Sequence, residues 1–188
     1  MTHKNEFSAV VACSLNYCIG KNNSLPWPHL KDDLKWLSQV TTASTTKNAV
    51  IMGRLTWDSL PKQPLKDRIN IIVSRTLDQS SITATDTFVA NSFENALKVA
   101  HSKTNDKVFC LGGAQLYSIA FNHPDCRYIF LSRINCVVDG DAFLNPKQFS
   151  GFKKLSDKEF LQVIPYVNVD SICNKDIYFN FECWERVK

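Results

Sequence analysis

Two neighbouring aspartates, Asp32 and Asp33, share the segment from His29 to Thr42, in which Leu30, Leu34, Leu37 and Val40 recur at helical spacing. With successive residues about 100° apart around a helix, Asp33 falls inside the apolar arc and Asp32 on the polar side with Lys35 and Gln39. Asp32 is therefore expected in solvent and Asp33 facing the interior. An unpaired buried carboxyl is costly. Lys31 and Lys35 point elsewhere, so the partner of Asp33 has to come from another element or from a ligand, and a cationic or amidine-bearing heterocycle has the matching donors.

Two strand-to-helix junctions open on glycine, Gly53-Arg54-Leu55-Thr56 and Gly112-Gly113-Ala114-Gln115. Each aims free backbone N–H groups at an anion. A third basic terminus, Ser74-Arg75, offers a hydroxyl and a fork-shaped guanidinium suited to a phosphate monoester. An anionic dinucleotide with an extra phosphate matches all three. The six glycines, at 20, 53, 112, 113, 140 and 151, assemble neither Gly-x-Gly-x-x-Gly nor the P-loop pattern, which removes the usual dinucleotide fold's main support.

The elements that position these groups alternate. Phe7 to Ser14 reads as a buried strand, followed by a polar, turn-rich loop from Leu15 to Pro28 and the helix bearing Asp33. Asn48 to Met52 reads as a strand, Arg54 to Leu60 as a short helix, Arg68 to Ser74 and Thr87 to Ala90 as strands, Phe93 to His101 as a helix, Lys107 to Leu111 as a strand and Gly113 to Phe121 as a helix. Tyr128 to Val137 reads as a strand before a turn at Asp139-Gly140-Asp141. Two alternating segments, Phe160 to Val167 and Ile177 to Arg186, are expected to pair as antiparallel edges. The fold class is α/β, a three-layer sandwich with a central mixed, mainly parallel sheet flanked by helices and an antiparallel C-terminal edge.

Composition bounds the rest. At 188 residues, 44% apolar and 21% charged, the chain is expected to form one globular domain over residues 1–188 with a core that needs no staple. The longest apolar run, Ala9 to Cys13, is far below the roughly 20 residues a membrane helix requires. The first six residues lack a secretory or transit-peptide pattern, so a cytoplasmic location is expected. Seven cysteines without a Cys-x-x-Cys pair, and four histidines without ligand spacing, point to reduced thiols and no metal. The 22 basic and 18 acidic residues give a net charge of +4, spread without a basic run, which argues against nucleic acid as a partner.

Ala9-Val10-Val11-Ala12, Ile19-Gly20-Lys21-Asn22, Leu25-Pro26-Trp27-Pro28, Val50-Ile51-Met52-Gly53-Arg54 with Thr56-Trp57, Ser74-Arg75, and Leu111-Gly112-Gly113 with Tyr117 together resemble dihydrofolate reductase, in order and separation, over nearly the whole chain. The Trp27-Pro28 pair, the length and the long carboxyl-terminal region resemble the eukaryotic branch. The family's acid stands three residues after a leucine on the first helix, which selects Asp33 a second time; vertebrate members carry Glu there, and this chain the shorter acid.

The resemblance implies NADPH-dependent reduction of 7,8-dihydrofolate to tetrahydrofolate, supporting one-carbon metabolism and thymidylate synthesis, by a monomeric antifolate target. It makes Asp33, Trp27 and Ser132 catalytic, with Ser132 bracing Asp33 and the proton reaching N5 through water near Trp27. Substrate contacts would come from Val10, Asp33, Leu34, Leu37, Ser38, Leu60, Arg68 and Leu111, with Arg68 clamping the glutamate α-carboxylate and Val10 and Leu111 offering backbone carbonyls. Cofactor contacts would come from Ala12, Ile19, Gly20, Lys21, Asn22, Ser24, Leu25, Gly53, Arg54, Leu55, Thr56, Ser74, Arg75, Thr76, Gly112, Gly113, Ala114, Gln115, Leu116 and Tyr117. Ser74 and Arg75 would hold the 2′-phosphate, Gly112-Gly113 would form the family's cis bond, and the loop from Leu15 to Trp27 would close over the nicotinamide. Leu55 and Asn91 stand where many members carry a basic residue. A reductase for another pterin- or pyrimidine-like compound and a non-catalytic pterin or nucleotide binder are the alternatives.

Overall fold

The computed structural model describes residues 5–187. In chain order the elements are β1 (Phe7–Ser14), β2 (Cys18–Gly20), α1 (Lys31–Thr42), β3 (Asn48–Gly53), α2 (Arg54–Asp58), β4 (Arg68–Val73), β5 (Thr87–Ala90), α3 (Phe93–Lys103), β6 (Val108–Cys110), α4 (Ala114–Asn122), β7 (Cys126–Ile134), β8 (Ala142–Phe143), β9 (Phe152–Lys154), α5 (Asp157–Val163), β10 (Ile172–Asn174) and β11 (Ile177–Arg186). The main sheet runs β10-β11-β7-β1-β6-β3-β4-β5, with β9 also on β11. From β7 to β5 every pairing is parallel, whereas β11 is antiparallel to β7, β10 and β9.

Side chains of a strand alternate between its faces, and here both faces are covered. Ala9, Val11, Ile51, Ile71, Cys110, Ile129 and Leu131 pack under α3 and α4 through Phe93, Leu97, Leu116 and Phe121. Val10, Val50, Met52, Ile72, Phe109, Phe130 and Phe181 pack under α1, α2 and α5 through Trp36, Val40, Trp57 and Phe160. The expected three layers follow from this partition. All seven cysteines are free, five of them buried; burial pushes the Cys110, Cys126 and Cys183 thiols up to about 12, which keeps them protonated and inert.

One expected strand is a helix. Phe160 to Val167 does not form an edge, because residues 157–163 coil into α5. The signal is local: the Ser156 hydroxyl accepts from the Glu159 N–H at 3.4 Å, and the Glu159 carboxylate accepts from the Ser156 N–H at 2.7 Å, a reciprocal capping box. Phe160 and Ile164 then fall one turn apart and are both buried, and Pro165 follows. Besides β7, the partners of β11 are the three-residue strands β9 and β10, too short to show a period. Ser156→Ala is expected to lower stability by about 1 kcal/mol, read as a lower midpoint in urea with an unchanged slope.

Candidate functional site

Helix α1 is anchored by Trp36, which stacks on Phe181 at 4.6 Å and meets Phe160 edge-on at 6.0 Å. Its buried face runs through Asp33, Trp36, Val40 and Thr41. Asp33 therefore sits in the middle of that face, while Leu34 and Leu37 are half-buried on its rim. Asp32, expected to be merely solvated, is tied down: its N–H donates to Asn174 Oδ1 at 3.1 Å, and its carboxylate accepts from Asn174 Nδ2 at 2.7 Å. The two aspartates still have opposite fates, one stapled to the sheet edge and the other turned inward.

Asp33 is 7% exposed. Burial pushes its carboxyl above the usual carboxylate range, and a hydrogen bond from the Ser132 hydroxyl opposes that rise. Ser132 is itself buried, on the α1 side of β7. Trp27, 5% exposed, presents an indole N–H with no acceptor among the described residues. Trp27 and Val10 belong to one apolar cluster, with Ala12, Leu37, Leu60 and Leu111 packed against it. The Val10 carbonyl already accepts from the Tyr117 hydroxyl at 2.7 Å, which leaves one lone pair for a ligand.

Arg68 opens β4 almost fully buried. Its Nε donates to the Lys66 carbonyl at 2.8 Å and its Nη1 to Thr41 Oγ1 at 2.9 Å. Burial lowers its pKa, against the pull of Asp67. The loop before it is pinned by Asn70, whose side chain accepts from the Leu65 N–H at 3.0 Å and donates to the Leu65 carbonyl at 2.9 Å. Two donors thus orient the guanidinium and its Nη2 edge is left for an anion. Sequence reading passed over Asn70, whose signal is a polar residue inside an otherwise apolar strand.

At the carboxyl ends of the parallel strands lies a cavity of about 850 Å³, the place where open α/β sheets bind ligands. Of the expected cofactor residues, Ala12, Ile19, Gly20, Ser24, Leu25, Gly53, Arg54, Leu55, Thr56, Ser74, Arg75, Gly113, Ala114, Gln115, Leu116 and Tyr117 line it. Helix α4 starts from Gly113 with no side chain capping its free N–H groups. The Gly112–Gly113 bond is cis, as the resemblance implied. Gly112 has φ +83°, and a Cβ there would clash with the Tyr117 ring, so no larger residue is accommodated. Ser74 Oγ accepts from the Thr76 and Leu77 N–H groups at 3.2 and 3.0 Å, leaving its proton to donate outward.

Four expected residues do not wall the cavity. Lys21 is paired with Asp139 at 2.8 Å, the Asn22 N–H donates to Asp141, Thr76 accepts from Arg54 Nη1, and the Gly112 carbonyl accepts from the Gly53 N–H. Conversely Asn23, Ser59, Val73, Ser92 and Ala142 line it without having been anticipated; they are flanks of motifs and carry no signal of their own. Asn91 lines it too and joins Ser74 and Arg75 in a neighbouring cavity of about 550 Å³. Ala12 and Leu111 belong both to the cavity wall and to the cluster around Trp27, so the crevice and that cluster share a wall.

A crevice at a sheet's carboxyl edge, lined by Arg54 and Arg75 and sharing Ala12 and Leu111 with the cluster around Trp27, is the ligand-binding place of an α/β enzyme. The comparisons give the family: a model of dihydrofolate reductase matches residues 6–165. Dihydrofolate reductases of Bos taurus and Mus musculus are 37% and 36% identical over 188 residues, covering 95% of this chain and 96% of each relative. A viral dihydrofolate reductase of Saimiriine herpesvirus 2 (strain 488) is 34% identical over 190 residues, covering 96% of this chain and 84% of its own length. This chain belongs to the dihydrofolate reductase family.

The raised Asp33 pKa sets a pH dependence. The folded state holds that proton more tightly than the unfolded chain, so the cost of ionising Asp33 grows as pH rises from the ordinary carboxylate range through the raised value, and is absent below both. Asp33→Asn is therefore expected to raise the melting temperature of the ligand-free protein at neutral pH and leave it unchanged at acid pH. Thermal scans over a pH series check this; a variant less stable than the wild type at neutral pH contradicts it.

Proposed function

We propose that this chain reduces 7,8-dihydrofolate to 5,6,7,8-tetrahydrofolate with NADPH, serving one-carbon metabolism and thymidylate synthesis. The observation that carries the reading is Asp33, a buried carboxyl braced by Ser132 beside a basic crevice of dinucleotide size. A carboxylate there accepts paired hydrogen bonds from the exocyclic amine and ring N–H of the pterin and fixes the ring's orientation. Burial raises its proton affinity, the Ser132 hydroxyl restrains that rise, and paired bonds from the pterin edge would favour its ionised form. Trp27 Nε1 is an unspent donor for a water that carries the proton to N5. Leu34, Leu37, Ser38, Leu60 and the Val10 and Leu111 carbonyls complete the pocket, and Arg68 takes the α-carboxylate of the glutamate tail through its free edge. A lysine would offer that carboxylate one point charge in place of a fork.

The crevice fits NADPH on three features. Its volume suits a dinucleotide, the uncapped start of α4 receives the pyrophosphate, and Arg54, Ser74 and Arg75 form a cationic, hydroxyl-bearing end for the 2′-phosphate. Bound there, the reduced nicotinamide supplies the hydride to pterin C6. Ala12, Ile19, Gly20, Ser24, Leu25, Thr56 and residues 113–117 hold the dinucleotide. Lys21, Asn22, Thr76 and Gly112 act behind the wall by fixing the loop, Arg54 and Gly53. The loop from Leu15 to Trp27 excludes water from the reacting rings.

We further read residues 1–188 as a single domain, monomeric and cytoplasmic, working without nucleic acid or membrane. One sheet drawing strands from both halves of the chain supports the single domain. Among the described residues no helix is long and apolar enough to cross a membrane.

Loss of nicotinamide absorbance on mixing the protein with dihydrofolate and NADPH tests the activity, and no turnover above background overturns it. Asp33→Asn is expected to lower kcat by about a hundredfold to ten-thousandfold. Arg75→Gln is expected to weaken NADPH binding about tenfold with NADH binding unchanged, and an equal loss for both cofactors would remove Arg75 from the 2′-phosphate.

A further inference from the structure

We propose that Arg133 is a positioning residue for the loop covering the crevice, acting through the Tyr17 ring; the effect on nucleotide binding rests on the cofactor reading above. Ser132 and Arg133 are successive residues of β7 and point to opposite faces of the sheet. While Ser132 holds Asp33, Arg133 reaches to the other side, its side chain 13% exposed. Nη1 donates to Cys13 Sγ at 3.2 Å and to the Ser14 carbonyl at 3.4 Å, and Nη2 lies 3.8 Å from Glu182 Oε2. Glu182, also buried, is fixed from its other sides by Lys154 Nζ at 2.8 Å and Trp184 Nε1 at 2.9 Å. Four strands thus hold the guanidinium as a rigid plate.

Tyr17 lies on that plate, its ring centroid 5.0 Å from the guanidinium carbon, an arrangement in which a desolvated cation attracts the ring face. Phe149 flanks the ring at 6.1 Å. Tyr17 is where the chain leaves β1 for the loop. Its φ of +61° is a left-handed conformation that a bulky residue adopts only under tertiary constraint. Its N–H donates to the Ser14 carbonyl at 3.0 Å and its carbonyl accepts from the Leu144 N–H at 2.9 Å. The next residue, Cys18, begins β2, and Ile19, Gly20, Ser24 and Leu25 beyond it line the crevice. The docked ring therefore sets the angle at which the covering loop departs, and Arg133 and Glu182 set the ring.

The test compares Tyr17→Phe, Tyr17→Leu, Arg133→Met and the Tyr17→Leu/Arg133→Met double variant. In the ligand-free enzyme, amide exchange at residues 18–25 is expected to rise in Tyr17→Leu and stay at the wild-type level in Tyr17→Phe, with β4 amides unchanged in both. NADPH dissociation, followed by stopped-flow fluorescence, is expected to quicken about fivefold in Tyr17→Leu, with the KM for dihydrofolate unchanged and Tyr17→Phe matching the wild type. Arg133→Met should quicken it similarly, and the double variant no further, because fork and ring act as one unit. Wild-type exchange rates in Tyr17→Leu, or single effects that multiply in the double variant, overturn the proposal. Should Arg133→Met fail to fold, the contrast between Phe and Leu at position 17 decides alone. A wild-type protein that does not bind NADPH would overturn the cofactor reading, while the exchange experiment still judges the positioning role.

Discussion

Keeping the Asp33 carboxyl out of water constrains most of what surrounds it. A carboxyl on the inner face of a helix is tolerated only if the helix is held by something stronger than the cost of that burial, and Trp36 between Phe160 and Phe181 supplies the hold. It also needs a polar neighbour that does not neutralise it. A guanidinium or ammonium in that place would quench the acid, whereas the Ser132 hydroxyl bonds it and leaves its reactivity to the ligand. The layer of α1, α2 and α5 is in this sense arranged around one group whose charged form the protein stabilises only in part.

The same sheet serves two chemistries because its strands are two-faced. β1 gives Val10 to the cluster around Trp27 and Val11 to the opposite core, and places Ala12 in the wall of the crevice. β7 gives Ser132 to the acid and Arg133 to the base of the covering loop. The surroundings of Asp33 and of Tyr17 are thereby set by adjacent residues of one strand, so their relative placement depends on backbone stiffness more than on side-chain packing.

The sequence made these features legible to different degrees. Asp33 was visible because helical periodicity places an acid among leucines, and the glycine junctions because backbone N–H groups at a helix start have few other uses. Strands with β-branched runs, such as Arg68–Val73, came within a residue of their bounds. The segment after Ser156 misled because Phe160 and Ile164, four positions apart, fit a loose alternation as well as a helical turn, while the capping box that decides the matter involves only two side chains. Trp36, Asn70 and the Arg133–Glu182 pair were not foreseen: each depends on a neighbour more than thirty positions away or on a side-chain to backbone bond that no periodicity encodes.

The reciprocal bond between Asp32 and Asn174 joins α1 to the strand at the sheet's edge, and Asn174 is next to Cys173, the one exposed cysteine. With five thiols buried and Cys136 half-covered, a mild alkylating dye would react preferentially at Cys173. Two bonded residues separate that dye from the backbone of Asp33. The native chain thus carries its own attachment point for a fluorophore placed to report on the surroundings of α1, with no engineered cysteine.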